Sequence, residues 1–304
     1  MLPVIRYQKS PLIPAPRDVL MLLKPITWFP PMWAFMCGVI SSGVPLDERW
    51  PFLIAGVIFV GPLVCGTSQA VNDWYDRDVD AINEPNRPIP SGRIPGRWGL
   101  NIAIIGTILS LVTAALIGPW VFAAAIPGLI FAWIYSAPPL RLKMHGWWGP
   151  GVCALCYEGM TWFTGAAVMS GGLPDPRILA LLLLYSAGAH GIMTLNDFKA
   201  IEGDRQMGIA SLPVTLGVNR AVRLACIIMV VPQLVVVALL MRWGLPIHTG
   251  ITALLILAQC MLMPKLIGNP AKNAPWYGAT GVTLYVLGML VSAFGIGSLI
   301  GGGA

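Results

Sequence analysis

Apolar and polar positions fall into long blocks along this chain. Nine apolar runs, most near 20 residues, stand at about 26–43, 51–72, 99–118, 120–137, 149–170, 178–197, 219–241, 247–267 and 276–299. A run of that length crosses the roughly 30 Å hydrocarbon core of a bilayer as a helix. Irregular backbone is disfavoured there because its polar groups would go unpaired. The pattern therefore predicts an all-α, polytopic membrane helical bundle of about nine transmembrane helices. Only Gly118-Pro119 marks the break between the third and fourth runs, and Pro30-Pro31 predicts a kinked or delayed start to the first.

Composition fits that picture. The chain is 56% hydrophobic and 11% charged, where a soluble domain carries about 25% charged residues. With the N-terminus in the cytoplasm, 16 of the 19 Lys and Arg residues fall on the inside; Arg49, Arg177 and Arg242 are the 3 outside. The net charge of +6 is thus a topogenic signal. It calls for no nucleic acid, and it would draw anionic lipid or an anionic substrate. The first 24 residues are basic and Pro-rich, without the pattern of a cleavable signal, so the first span is expected to direct insertion. The six cysteines are scattered and read as packing residues. Their one CxxC, Cys153 and Cys156, lies in an apolar helix with no second pair, which argues against a zinc or redox site.

Acidic residues are scarce and clustered. Of 13 Asp and Glu, Asp73, Asp76, Asp78, Asp80 and Glu84 fall within twelve residues at the end of the second run. The stretch NDWYDRDVD (72–80) has a counterpart in NDFKAIEGD (196–204): Asn72 matches Asn196, Asp73 matches Asp197, Asp78 matches Glu202 and Asp80 matches Asp204. Four spans separate the two, so both face the same side. The chain therefore reads as one domain over 1–304, with a cytoplasmic segment 1–24, a first helical repeat 26–137, a second 149–267 and an added helix 276–299. Sites in such repeats tend to lie between the halves.

On a helix, at about 100° per residue, Asp73, Asp76 and Asp80 share one face, as do Asp197 and Asp204, while Asp78 and Glu202 point away. Two acidic stripes beside a bilayer need neutralising, since an Asp at its centre costs about 2.5–3.5 kcal/mol. A hard divalent cation does this with oxygen ligands, and Mg²⁺ uses one or two carboxylates plus substrate phosphates. Ion-pathway carboxylates and a merely solvated helix end are the alternatives; the latter does not account for a second copy in register. Metal-holding stripes imply a polyanion between them. Candidate partners on the same side are Arg87 and Arg93 in the loop 83–93, Tyr135, Arg141 and Lys143 in YSAPPLRLK (135–143), and Lys199. Pro85, Pro88 and Pro90 make that loop a candidate lid.

These motifs resemble the UbiA-type intramembrane prenyltransferases, over nearly the whole chain. The longer strings KPITWFPPMWAFMCG (24–38), NDWYDRDVDAINEPNRPIPSGRIPGRWG (72–99) and GAHGIMTLNDFKAIEGDRQMGIASLPVTLG (188–217) are similar to the (bacterio)chlorophyll synthase subfamily. HGWWGPG (145–151) and CYEGMTWFTGAA (156–167) tilt the likeness to its bacteriochlorophyll branch. The resemblance implies Mg²⁺-dependent transfer, with Mn²⁺ as a substitute, of a geranylgeranyl or phytyl group from its diphosphate to the propionate of a chlorophyllide. It implies a bacterial inner or intracytoplasmic photosynthetic membrane, contact with membrane lipid, and other pigment-synthesis or photosystem-assembly proteins as neighbours. Asp73, Asp76, Asp80, Asp197 and Asp204 would ligate metal and Asn72 and Asn196 would orient or ligate. Arg87, Arg93, Tyr135, Arg141, Lys143 and Lys199 would serve the diphosphate. Ala200 stands where Asp76 has its counterpart, a departure that leaves the second stripe short of one ligand. Glu158, His190, Trp147, Trp148, Trp162 and Phe163 are candidates for the acceptor side. A quinone-precursor or haem acceptor is the nearest rival. A transporter or pigment-binding protein without catalysis is a rival of another class, and it would need charges lining a path between the two sides.

Overall fold

In the computed structural model, the described residues are 13–302 apart from Glu48. Arg6 and Lys9 of the expected cytoplasmic segment lie outside the described residues. Helices α1 (Pro16–Leu23) and α2 (Phe29–Ser41) are joined by a short 3-10 turn at Pro25–Thr27 and bent by 57°. Then come α3 (Trp50–Asn83), α4 (Trp98–Ile117), α5 (Pro119–Ser136), α6 (148–170), α7 (Pro176–Thr194), the short α8 (Ile201–Gln206) and α9 (Leu212–Leu216), α10 (Val218–Arg242), α11 (Pro246–Gly268) and α12 (Pro270–Gly301). No strand occurs among the described residues; two segments form one isolated bridge, His145 with Ala210.

Seven of these helices are long and apolar enough to cross a membrane, or eight if the bent α1–α2 pair is one span. The expected nine included 149–170. That stretch is helical as α6 but carries Glu158 and several small or polar residues, and it is not among the seven. Pro30 and Pro31 stand in the first turn of α2, which starts later than the apolar run did. Proline is tolerated there because the first amide donors of a helix have no internal acceptor.

Two helices widen locally. Residues Phe59–Cys65 of α3 and Leu155–Met160 of α6 are π-helical. In α3 the cause is at hand: Pro62 has no N–H to give the preceding turn, and a wider turn absorbs the mismatch.

The core sits around α2, which packs against the second half of α6 and against α12. Water is absent from lipid, so close backbone approach and polar contacts hold such helices together. A Cβ on Gly38 of α2 would stand 2.0 Å from the carbonyl oxygen of Trp162, and one on Gly165 of α6 would stand 2.0 Å from that of Phe35. The two glycines thus lock the crossing from both sides. Gly297 of α12 does the same against the Ile40 carbonyl, at 2.2 Å. Polar pins add direction. Trp162 Nε1 donates to Ser41 Oγ at 3.0 Å, Trp33 Nε1 to the Val286 carbonyl at 3.1 Å, and Tyr285 Oη to the Tyr185 carbonyl at 2.5 Å.

Gly165→Leu should therefore destabilise by upward of about 3 kcal/mol, since the clash is with backbone. Gly250→Leu, at a position with nothing within 4 Å of the new Cβ, should be close to neutral. Thermal melting of the two detergent-solubilised variants checks the contrast.

Candidate active site

The first acidic stripe forms as the helical period predicts. In α3, Asp73 and Asp80 are buried at 1% and 6% exposure, while Asp78 points to solvent. Each acid of the stripe has a cation. Lys24 Nζ lies 2.6 Å from Asp73, and Arg87 Nη1 lies 3.6 Å from Asp73 and 2.8 Å from Asp80. Lys143 hydrogen-bonds Asp76, with Arg141 Nη2 3.8 Å away. Asn72 Nδ2 bridges Asp76 Oδ2 and Ser136 Oγ, both at 3.0 Å. A buried carboxylate without such a partner would carry a desolvation cost of several kcal/mol.

Burial and pairing act on these groups in opposite directions. Burial would lower the Arg87 pKa, yet the hydrogen bond to Asp80 and the charges of Asp80 and Asp73 push it up. For Lys143 burial wins and lowers the pKa despite Asp76. Burial raises that of Asp204. Backbone geometry marks the same place. Among the described residues Lys24 (φ 46°) and Arg141 (φ 38°) are the non-glycine residues in the left-handed region, a conformation that costs roughly 1–2 kcal/mol. Both are cations aimed at the first motif.

The second motif departs from expectation. Asp197 and Asp204 do not share one helix. α7 ends at Thr194, a 3-10 turn covers Asp197–Lys199, and α8 restarts at Ile201. Asp204 is buried and Asp197 half-buried, while Asn196, Lys199 and Glu202 are exposed. The loop after α8 returns to the exit of α5: Ala210 N–H donates to the Met144 carbonyl at 2.9 Å, and Gly146 N–H to that of Ala210 at 2.8 Å. Position 146 has no room for a side chain, since a Cβ would stand 2.4 Å from Leu212 N.

Between the motifs is a polar chamber of about 240 Å³ lined by Asp76, Asp80, Asn196, Asp197 and Asp204, with Tyr135, Arg141 and Lys143 on its wall. It adjoins an apolar chamber of about 260 Å³; Tyr135 and Cys153 line both. Residues of both π-helical segments, among them Phe59 and Val64 of α3 and Tyr157 and Met160 of α6, line the apolar chamber. Its few polar groups include Asn72 and Gln69, whose Nε2 donates to Tyr157 Oη at 3.2 Å.

The donor set suits a hard divalent cation. It is oxygen throughout, and Asp197 Oδ2 is buried with no hydrogen-bond partner, whereas Asp73, expected from the sequence as a ligand, is not in the chamber's lining and pairs with Lys24 and Arg87. Among the described residues no three His, Cys, Asp or Glu side chains already form a metal site. Mg²⁺ typically completes its shell with substrate phosphates and water, and the cations now on the acids would be drawn to the same phosphates.

Other sequence candidates fall elsewhere. Arg93 turns from the chamber to Asp18, 2.8 Å away, and to the Asn86 carbonyl. Lys199 is exposed and lines neither chamber. Glu158 is buried at 5% exposure outside both chambers, its Oε2 unpartnered. Trp162 is sealed in the core, its ring 5.7 Å from that of Tyr185. His190 and Trp147 border a third cavity. In the sequence Lys24 reads as one more inside cation; its place just before Pro25, at the mouth of the first span, is the signal that marks it.

The sequence model of the UbiA prenyltransferase family matches residues 27–287. The bacteriochlorophyll synthase 33 kDa chain of Cereibacter sphaeroides is 58% identical over 94% of this chain and 95% of its own length. The 34 kDa chain of Chloroflexus aurantiacus is 44% identical over 90% of this chain and 88% of its own, and the chloroplastic chlorophyll synthase of Oryza sativa 38% identical over 90% and 75%. A UbiA homolog from Archaeoglobus fulgidus bound to DMAPP and Mg²⁺ shares the fold, with a TM-score of 0.69 at 20% identity over 90% of this chain and 99% of that one. By the family match and these identities, the chain belongs to the UbiA prenyltransferase family.

Proposed function

We propose that this integral membrane protein transfers a C20 isoprenoid, geranylgeranyl or phytyl, from its diphosphate to the propionate carboxylate of a (bacterio)chlorophyllide. The products are the esterified pigment and diphosphate. The observation that carries this reading is the junction of two unlike chambers at Tyr135 and Cys153: one acidic and cationic, suited to a metal and diphosphate, the other apolar and suited to the chain. The names of the relatives support the acceptor.

The nucleophile is already an anion, because carboxyl groups titrate near 4. No general base is needed. The demanding step is departure of diphosphate from the allylic carbon, whose electron pair leaves with the bridging oxygen. Asp76, Asp80, Asp197 and Asp204 would hold Mg²⁺, which when bound would supply charge neutralisation to that leaving group. Asp73, buried behind the chamber, holds Lys24 and Arg87 in register. Lys143, Arg141 and Arg87 exchange carboxylate partners for phosphate oxygens. The apolar chamber keeps water from the allylic cation until the propionate oxygen closes the ester bond. The motif side is assigned to the cytoplasm by the Lys and Arg asymmetry, and the membrane to the inner or intracytoplasmic photosynthetic membrane of a bacterium.

Purified protein given Mg²⁺, geranylgeranyl diphosphate and a panel of bacteriochlorophyllide, chlorophyllide and a hydroxybenzoate should yield an esterified bacteriochlorin. EDTA should abolish it, and Mg²⁺ or Mn²⁺ should restore it. Prenylation of the hydroxybenzoate alone would discard the pigment reading. Lys143→Met should lower kcat by about 10²–10³, the cost of one donor to a developing charge. Arg93→Met should leave kcat/KM within about fivefold, the range of a partly exposed ion pair. Steady-state kinetics of the two variants, side by side, would show whether the clamp lies where the chambers place it.

A further inference from the structure

The third cavity, of about 540 Å³, lies between α6, α7 and α10. Leu183, Ala187, Ile227 and Val231 line it and are exposed on the apolar flank of the bundle, so the groove opens to lipid. His190 borders it at 7% exposure. Its Nε2 lies 3.0 Å from the Trp147 carbonyl oxygen. A carbonyl only accepts, so Nε2 carries the proton and donates. Nδ1 is buried with no partner. A second proton there would be an unpaired charge in apolar surroundings, so the ring is neutral and Nδ1 keeps a bare lone pair. Metal-ligating histidines are typically held this way, with the other ring N–H given to a carbonyl or carboxylate.

The groove is also close to the chemistry. His190 stands one helical turn before Met193, which lines the polar chamber. The partition between them includes the Gly-rich first turn of α6 and the residue before it: Gly149 and Pro150 line the chamber, Trp147 and Gly151 the groove. A Cβ on Gly151 would press on the imidazole at 3.3 Å. The Trp147 indole lies 4.6 Å from the imidazole and is 51% exposed.

The geometry points to this groove as the seat of the acceptor macrocycle, with His190 Nδ1 as axial ligand to its chelated magnesium. The flat ring enters from lipid and Trp147 stacks on it. Its propionate arm reaches past the Gly149–Gly151 turn into the polar chamber. This rests on the acceptor proposed above and names where that acceptor sits. It also accounts for an imidazole kept neutral, with Nδ1 unpartnered, in an apolar wall.

The chain has three histidines, so ¹⁵N-histidine solid-state NMR of the full protein in nanodiscs resolves them. Bacteriochlorophyllide a should shift the Nδ1 resonance of His190, and its demetallated form should not. The magnesium form should bind about tenfold more tightly than the metal-free one. His190→Ala should erase that preference, and free imidazole should restore it. Ala187→Trp, an exposed position, should fill the groove and weaken both forms, while binding of geranylgeranyl diphosphate with Mg²⁺ stays as in wild type in both variants and reports that they are folded. A His190→Ala protein that keeps its preference for magnesium, with wild-type turnover of the same pigment, would overturn the proposal and leave the function standing. An unchanged affinity in Ala187→Trp would assign the groove to lipid acyl chains and also overturn it. Failure of the wild type to bind any chlorin while prenylating another acceptor would overturn both readings.

Discussion

A carboxylate at the edge of a bilayer must have a counter-charge or give up its own. That constraint organises the functional end of this molecule. Asp73 is nearly sealed from solvent, and Lys24 reaches it from the break between α1 and α2. Arg87 reaches it from the loop after α3 and binds Asp80 as well. Asp76 draws in Lys143 and Arg141 from the exit of α5. Three separate segments are thereby tied to one helix face by charge. The left-handed backbone at Lys24 and Arg141 is accepted where those ties are made, in keeping with the clustering of such conformations at functional sites.

The same ion pairs serve a second purpose under the proposed reaction. The pairs made by Asp76 with Lys143 and Arg141, and by Asp80 with Arg87, are provisional partnerships between a metal ligand and a phosphate-binding group. Arrival of metal and diphosphate would bring in charges of both signs and change who pairs with whom among groups already in place. The cost of burying so many ions is then met in the substrate-free state, and the arriving polyanion exchanges partners in place. The apolar chamber stands apart from this exchange; among the described residues Tyr135 and Cys153 line both.

Much of this was legible in the sequence where periodicity governs. The stripe of Asp73, Asp76 and Asp80 lies on one unbroken helix, so 100° arithmetic held. It failed at Asp197 and Asp204, because α7 ends at Thr194 and a tighter turn intervenes before α8; identical spacing does not ensure identical geometry. Arg87 and Arg93, six residues apart in one loop, could not be told apart from sequence. One turns to Asp80 and the other to Asp18, and only the path of the loop decides. Lys24 was hidden among the topogenic cations for the same reason: its partner lies 49 residues away. By length and apolarity, seven of the described helices qualify as spans, or eight with α1–α2 as one; α6, with Glu158, is less apolar than these, although its second half is largely buried. A helix wrapped by protein answers to its neighbours, and hydropathy does not see them.

The π-helical stretch at Phe59–Cys65 has a consequence of its own. A π segment behaves as an α-helix holding one residue too many, absorbed by a wider turn so that everything beyond keeps close to its angular phase. Winding the same 7 residues as plain α-helix would give that residue its full turn and rotate the remainder of α3 by on the order of 100°. The apolar half would still be apolar all round and would insert as before. Asp73, Asp76 and Asp80 would swing off the chamber together, leaving their cations behind. The widened turn is thus a phase-setter between the membrane-embedded half of α3 and its chemical half, and the width of that stretch is as constrained as the identity of the acids it aims.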